Sequence, residues 1–424
     1  MALIYNATFD KNTRKLSFED KAGNEIYSFT VPERGPAVDK ITKPLTFKAT
    51  QDGSTVKLTK NGSPSGTFQT SRDGGNTWTN YTTGTAITLN TGDEVSFRAK
   101  YDRTTGQNGQ NYFYFMMSGK IEAWHNVMSL YRTNDFATYN TTPGTDTFNS
   151  MFDGCTSLTK APVLPATTIT DSCYYNMFNG CTSLTEAPEL PATTLDRFCY
   201  SGMFDGCTSL TKAPALPATK LAQRCYDNMF KGCTSLTEAP ALPATQLAVG
   251  CYINMFNNCT SLVNAPVLPA TKLASSCYSS MFNNCTSLVN APVLPATTLA
   301  DYCYSSMFSG CQSLAKAPEL PATALAPRCY QYMFHGCRSL TKAPELPATT
   351  LADYCYVNMF SGCQSLKEVR VSATTTATDA LTEWLKDVSA TGDFYCDPNA
   401  TIFPTGMSGI PENWMRHNIA DYPN

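Results

Sequence analysis

Cysteine is the residue type whose abundance could do chemistry in this chain, with eighteen in 424 residues. Seventeen of them fall on two recurring positions, one running from Cys173 to Cys355 and the other from Cys155 to Cys363, with Cys396 alone outside. Such a set could hold metal, form disulfides or fill a core. Zinc sites built from these residue types pair cysteines at CxxC spacing or combine them with clustered histidines. The chain has three histidines, His125, His335 and His417, none near another, and no CxxC pair, so no metal site is expected. Read on a helix, Cys199 and Cys207 are eight residues apart. That is about 12 Å, beyond the roughly 7 Å Cα separation that a disulfide tolerates. The reading that remains is a set of buried free thiols acting as small hydrophobes, with cross-repeat bridging near Cys207 as the alternative.

Other catalytic signals are sparse. The stretch SRDGGNTW, Ser71 to Trp78, fits the S-x-D-x-G-x-T-W pattern called an Asp box, seen in sialidases as a hairpin turn remote from catalysis. A single copy, without a recognisable arginine triad or nucleophile pair, reads as a structural turn. No Walker loop, nucleophile elbow or HExxH is present. No catalytic residue and no cofactor are expected, and the chain reads as a non-enzyme.

The elements that position these residues follow from a repeat. The Met-Phe pair recurs at 151, 177, 203, 229, 255, 281, 307, 333 and 359, always 26 residues apart. A fixed period of this size marks a solenoid, whose units are too small to bury an apolar face alone and must stack. In the unit LDRFCYSGMFDGCTSLTKAPALPAT, Leu195, Cys199, Met203 and Cys207 fall at i, i+4, i+8 and i+12, with Tyr200 and Phe204 beside them. That spacing predicts a helix, stopped at Gly206. The segment SLTKAPALPA then predicts a short extended piece, since Pro214 donates no ladder hydrogen bond. Its inner register stays open, because Glu189, Glu319 and Glu345 occupy a place filled elsewhere by Val163 or Ala215. The expected fold is a mixed α/β solenoid of nine 26-residue units, leucine-rich-repeat-like, preceded by small all-β domains.

The motif MFxGCTSLTxAPxLPATxLAxxCY, over about residues 146 to 371, resembles the BspA-like, or Treponema-type, leucine-rich repeats, whose units carry a similar F-x-G-C-x-S-L core. The family's usual Ile-x-Ile-Pro strand is replaced here by Ala-Pro-x-Leu-Pro. The resemblance implies a surface recognition or adhesion module without catalysis, of the kind found in gut and oral anaerobes and in viruses that infect them.

Four regions are expected: an N-terminal β meander and anchor at 1–36, a β-sandwich-like domain at 37–125, the solenoid at 126–371 and a C-terminal cap at 372–424. Residues 2–31 read as three short strands split by the turn-like DKNTR and DKAGN, followed by the linker-like PERGP. In the cap, Leu381, Trp384, Leu385 and Val388 would form one apolar helical face over the last open core.

Positions that vary between units lie two and one residues before the Cys-Tyr cysteine, and two, three and six after it; on a helix they form a stripe opposite the buried one. Down the array that stripe carries Tyr175, Phe198, Arg224, Ile253, Tyr302, Arg328, Tyr332 and Tyr354, rich in the types enriched at interfaces. These residues are the candidate partner-binding face. A second ladder, Lys160, Glu186, Lys212, Glu238, Asn264, Asn290, Lys316 and Lys342, begins with alternating signs and reads as a structural rung between stacked strands.

The net charge of −3 offers nucleic acid no attraction, and no segment is long and apolar enough for membrane insertion. MALIYNATFDKNTRKLSFED lacks the apolar core of a secretory signal, so with Met1 as the native start ordinary secretion is not expected. A virion protein reaches the outside by host lysis. The expected function is therefore non-enzymatic attachment, as a phage virion structural protein: a tail or head fibre, or a receptor-facing accessory. The alternatives are a bacterial cell-surface adhesin and a purely structural virion decoration. Expected partners are a protein or glycan on a bacterial surface, virion proteins through the N-terminal region, and a second copy of the chain.

Overall fold

The computed structural model describes residues 6–10, 15–19, 22, 25–30, 38–102 and 110–422. Strands β1 (Asn6–Asp10), β2 (Lys15–Glu19) and β3 (Glu25–Thr30) pair antiparallel in that order. The linker expected at PERGP and most of the two expected turns lie outside the described residues. A short helix, α1 (Val38–Thr42), leads into eight strands: β4 (Thr46–Ala49), β5 (Ser54–Asn61), β6 (Phe68–Ser71), β7 (Thr79–Tyr81), β8 (Ile87–Leu89), β9 (Glu94–Ala99), β10 (Tyr112–Ser118) and β11 (Ile121–Trp124). One sheet runs β10-β5-β8; the other runs β11-β4-β9-β6-β7. Alternating inward residues such as Val56 and Leu58 build their shared core, and Phe47 on β4 meets Phe115 on β10 with ring centroids 4.6 Å apart.

The helices expected in the solenoid are absent among the described residues. In each coil the chain instead makes a run of turns with a period of four residues. In the unit carrying Cys173, positive φ recurs at Ser172, Asn176 and Gly180. A left-handed residue every fourth position cannot belong to an α-helix of L-residues. The amide hydrogens alternate in destination. Tyr174, Asn176, Phe178 and Gly180 donate to Cys199, Ser201, Met203 and Asp205 of the next coil at 2.7–3.0 Å. Tyr175, Met177, Asn179 and Cys181 donate three residues back within their own coil at 3.1–3.2 Å.

Side chains then go two in and two out: Cys173 and Tyr174 buried, Tyr175 and Asn176 outward, Met177 and Phe178 buried, Asn179 and Gly180 outward, Cys181 buried. This pattern produced the apparent helical stripe. A true helix drifts about 40° for every four residues, so an unrelieved period of four over three steps does not fit one. Gly206 is the last of three left-handed corners in its unit, after Phe198 and Gly202, and not a helix stop.

The buried columns stack from coil to coil. Phe152, Phe178 and their successors to Phe360 form one ladder, and Tyr174 to Tyr356 another, with centroid spacings of 5.4–6.2 Å. Each such ring contact contributes about 0.5–1.5 kcal/mol beyond the area it buries. All eighteen cysteines are buried and unbridged. Those at the Cys155 position also tie successive layers together. In nine places a thiol donates to a Phe carbonyl of the preceding layer, as Cys181 Sγ does to Phe152 O at 3.1 Å. Cysteine suits the place because it packs as a small hydrophobe and still offers a weak donor.

On the opposite side the expected short extended segments shrink to single parallel bridges, Glu186 to Lys212 to Glu238 to Asn264 to Asn290. The prolines that follow cannot continue a ladder. Strands appear only at the ends, β12 (Leu158–Lys160) and β13 (Glu368–Arg370). The rung reading is visible in side chains where Asn290 Nδ2 donates to Asn264 Oδ1 at 2.7 Å and Lys342 pairs with Glu368 at 2.8 Å.

Both ends are closed by aromatic residues. β12 pairs parallel with β11, extending the sandwich sheet into the array. Phe115 stacks on Phe152 at 5.4 Å, and its carbonyl accepts from Cys155 as Phe152's does from Cys181. The sandwich thus supplies the layer beneath coil one. At the far end, Leu381, Trp384 and Leu385 are buried and Val388 partly so, but on a further left-handed-corner coil with positive φ at Asp379, Glu383 and Asp387, and not on the expected helix. Trp384 meets Tyr356 at 6.0 Å and Phe360 at 6.4 Å, closing both ladders at once. Its Nε1 donates to Gly409 O. Strands β13, β14 (Gly392–Cys396) and β15 (Trp414–Asn418) pair parallel over this end.

Candidate partner-binding surface

Every coil presents three left-handed corners to the outside, which fall one residue before the Cys-Tyr cysteine and three and seven residues after it. The last column is Gly154, Gly180, Gly206, Gly232, Asn258, Asn284, Gly310, Gly336 and Gly362, all with positive φ. Glycine and asparagine are the residues that reach this conformation most readily. The first column is different: Asp146, Ser172, Phe198, Arg224, Gly250, Ser276, Tyr302, Arg328 and Tyr354, with φ between 50° and 63°. Bulky side chains there carry a backbone cost of roughly 1–2 kcal/mol each.

The eight residues of the candidate face divide accordingly. Phe198, Arg224, Tyr302, Arg328 and Tyr354 occupy the first corner column, Tyr332 the middle one, and Tyr175 and Ile253 the neighbouring outward position. All eight point away from the ladders; Tyr302, Tyr332 and Arg224 are exposed and the others half-buried. Three are brought together, because 302, 328 and 354 are successive floors of one column. The Arg328 guanidinium carbon lies 5.3 Å from the Tyr302 ring centroid and 4.3 Å from that of Tyr354, a cation held between two aromatic faces. Tyr332 packs edge-on against His335 at 5.8 Å.

Of the remaining face residues, Arg224 and Ile253 are tied up locally. Arg224 pairs with Asp227 at 3.4 Å, and a Cβ on Gly250 would come within 2.8 Å of Ile253 and 3.1 Å of Arg224, so both side chains lean over that glycine. Burial raises the Asp227 carboxyl to about 6, against the opposing pull of Arg224 and Lys231. Arg197, beside Phe198, is neutralised by Asp171 at 2.6 Å.

Two further features bear on chemistry. The Asp-box segment is the β6–β7 turn, closed on itself: Ser71 Oγ donates to Asp73 at 2.6 Å, Thr77 Oγ1 donates to the other Asp73 oxygen at 2.6 Å, and Trp78 Nε1 donates to Gly75 O. These donors hold the Asp73 carboxyl well below the usual range. Arg98 lies 4.1 Å over Trp78. In the array, burial pushes the Cys155, Cys207 and Cys285 thiols up to about 12, a state unsuited to nucleophilic attack.

Sequence reasoning missed a patch on the opposite side. Val263, Val267, Val289 and Val293 are exposed, in two adjacent coils joined by Val289 N–H donating to Val263 O at 3.0 Å. The structure resolves the register left open there: the residue between Pro and Leu faces solvent in the middle coils, and Leu268 and Leu294 beside it face the core. The available signal was valine at two positions where flanking units carry Thr, Ala or Glu.

Comparison with known proteins places this geometry. Residues 144–263 and 301–381 match the family model of the BspA type leucine rich repeat region, in six copies. No curated protein and no solved structure matches the chain. The repeat-bearing part of this chain therefore belongs to the BspA-type leucine-rich repeats.

Proposed function

We propose that this chain is a non-enzymatic recognition and attachment protein, in which the N-terminal β region is the mount and the solenoid displays its left-handed corners to a partner. One observation carries the reading. Tyr302, Arg328 and Tyr354 occupy a backbone conformation that costs a bulky residue free energy, at a column where Gly250 and Ser276 serve the same fold. Strain that persists on an outward surface points to a use for the side chain itself. Tyrosine and arginine are also the types that dominate binding hot spots. BspA-type repeats agree with a surface-binding role.

The finer reading is a phage virion structural protein, a tail or head fibre or a receptor-facing accessory, located on the virion and meeting a protein or glycan on a bacterial cell. Its support is the resemblance of the repeats to arrays found in gut and oral anaerobes and in their viruses. The N-terminal sheets would then contact other virion proteins. No helix among the described residues is long and apolar enough to cross a membrane.

The test begins with the native source. Mass spectrometry is expected to find this polypeptide with purified phage particles; recovery with bacterial outer membranes instead would make it a cell-surface adhesin. Substituting Tyr302, Tyr332 and Tyr354 by Ser is then expected to abolish attachment to host cells. Retained attachment and infectivity would reduce the solenoid to a spacer or decoration.

A further inference from the structure

Four arginines among the described residues spend their charge on internal ion pairs. Arg132 pairs with Asp135 and Asp102, Arg197 with Asp171, Arg224 with Asp227 and Arg370 with Glu345. Arg328 does not. Among the described residues its side chain has neither an ion pair nor a hydrogen bond, only the ring faces of Tyr302 and Tyr354 on its two sides. The cation thus lies between the two rings, and its N–H groups are left to an outside acceptor. The two rings restrict the rotamers of a long side chain, so less freedom is lost when a ligand binds. A planar fork of N–H donors matches a carboxylate through two parallel hydrogen bonds, which a lysine ammonium cannot do.

Three features narrow the ligand. First, the backbone here has no donors to offer. Each N–H from Tyr302 to Gly310 already donates, alternately to the next coil and within its own turn. An extended peptide therefore finds no edge to pair with. Second, Asp301 and Asp353 stand beside Tyr302 and Tyr354 in the flanking coils, and the whole chain is net negative at −3. A polyanion would meet more repulsion beside the Arg328 cation than a single compact carboxylate. Third, Tyr302 is 38% and Tyr332 36% exposed, offering ring surface suited to the apolar face of a sugar.

We infer that the Tyr302–Arg328–Tyr354 clamp is a receptor for one carboxylate on an acidic sugar, the uronic or sialic acid class, displayed on a host glycan. This rests on the attachment reading above and names its ligand chemistry. Arg328 would hold the carboxylate edge-on, Tyr302 and Tyr354 fix the fork, and Tyr332 borders the sugar.

The full-length chain should be titrated with glucuronic acid and with N-acetylneuraminic acid, followed by saturation-transfer NMR, with N-acetylglucosamine as the neutral control and a short Glu-containing peptide as the acidic peptide control. The acids are expected to bind with Kd near millimolar, as a single-anion contact allows, and the controls at least about tenfold more weakly. Arg328→Lys keeps the charge and the backbone corner but not the fork, and is expected to lose about tenfold in affinity with an unchanged melting curve. Tyr302→Ser with Tyr354→Ser should also weaken binding, since both rings beside Arg328 are lost. Equal binding of acid and neutral sugars, wild-type affinity in Arg328→Lys, or preference for the peptide would each overturn the proposal. If the acids fail to bind while the Tyr302, Tyr332 and Tyr354 triple variant still loses host attachment, the ligand class is wrong and the attachment reading stands. If that variant also keeps attachment, both fall.

Discussion

The first and last corner columns of each coil share one backbone conformation and differ in what they permit. In the last column a side chain on one floor would point at the glycine of the floor before: a Cβ on Gly362 would sit 3.5 Å from Gly336 Cα, and one on Gly180 3.7 Å from Gly154 Cα. These are ordinary van der Waals distances, yet only Gly or Asn occupies the column. The first column is similarly half-exposed, and it holds Asp, Ser, Phe, Arg, Gly and Tyr. One column therefore keeps to the residues that reach the left-handed conformation most readily, while the other holds bulky side chains at the same φ and carries their backbone cost.

The largest effect is expected in the last column. Gly362→Val puts a β-branched residue at φ 76° beside Gly336. Left-handed strain on a β-branched residue should cost about 2–3 kcal/mol. Urea unfolding is the measurement, and a midpoint like that of wild type would mean that this corner accepts a β-branched residue without strain.

Asp227 sharpens the contrast from beside the first column, since it is outward in the pattern yet buried beneath Arg224, Lys231 and Asn228. Its folded carboxyl titrates at about 6, above the ordinary 3.8. A raised pKa means the folded state binds the extra proton. The stabilisation is full below pH 3.8 and is lost as pH rises through about 6. Asp227→Asn should remove this decline, gaining on the order of 2 kcal/mol over wild type between pH 4 and pH 7. Parallel stability curves for the two proteins across that range would contradict the burial account.

How much of this was legible in the sequence follows from what constrains each position. The 26-residue period, the buried identity of the Cys, Tyr, Met and Phe columns, and the outward identity of Tyr302, Arg328 and Tyr354 all follow from self-comparison, because burial restricts residue type whatever the local backbone. The secondary structure did not follow. Two-in, two-out turns place apolar residues at i and i+4 just as a short amphipathic helix does, and only the undrifting period of four and the recurring Gly or Asn at Gly180, Asn258 and Gly310 distinguish them. The same error produced a capping helix where a coil carries Trp384. The Arg328 clamp was within reach, since residues 26 apart are neighbours in any such stack. Reading the face as a helical stripe obscured it by treating Tyr175, Ile253 and Tyr332 as equal members. The exposed valines were hidden because two prolines per unit leave no alternation from which to read a strand register.

The smallest expected effects show whether the first column is retained for its surface. Phe198 sits at φ 54° and makes no clamp, with a serine on the floor before and Arg224 on the floor after. Asparagine tolerates this corner, so Phe198→Asn should stabilise the chain by about 0.5–1 kcal/mol, the relieved strain less the apolar contact given up. Tyr302→Asn and Tyr354→Asn relieve the same strain but each removes a face from Arg328, a loss of about 0.5–1 kcal/mol at a partly exposed site. Their net change in stability should lie near zero, while host attachment falls. Thermal unfolding and cell-binding assays on the three variants separate the alternatives. If all three gain stability equally and none loses attachment, the first column has drifted without selection, and its tyrosines carry no more meaning than the phenylalanine. If only the tyrosine variants lose attachment, the cost of holding them in a left-handed corner is offset by what they bind.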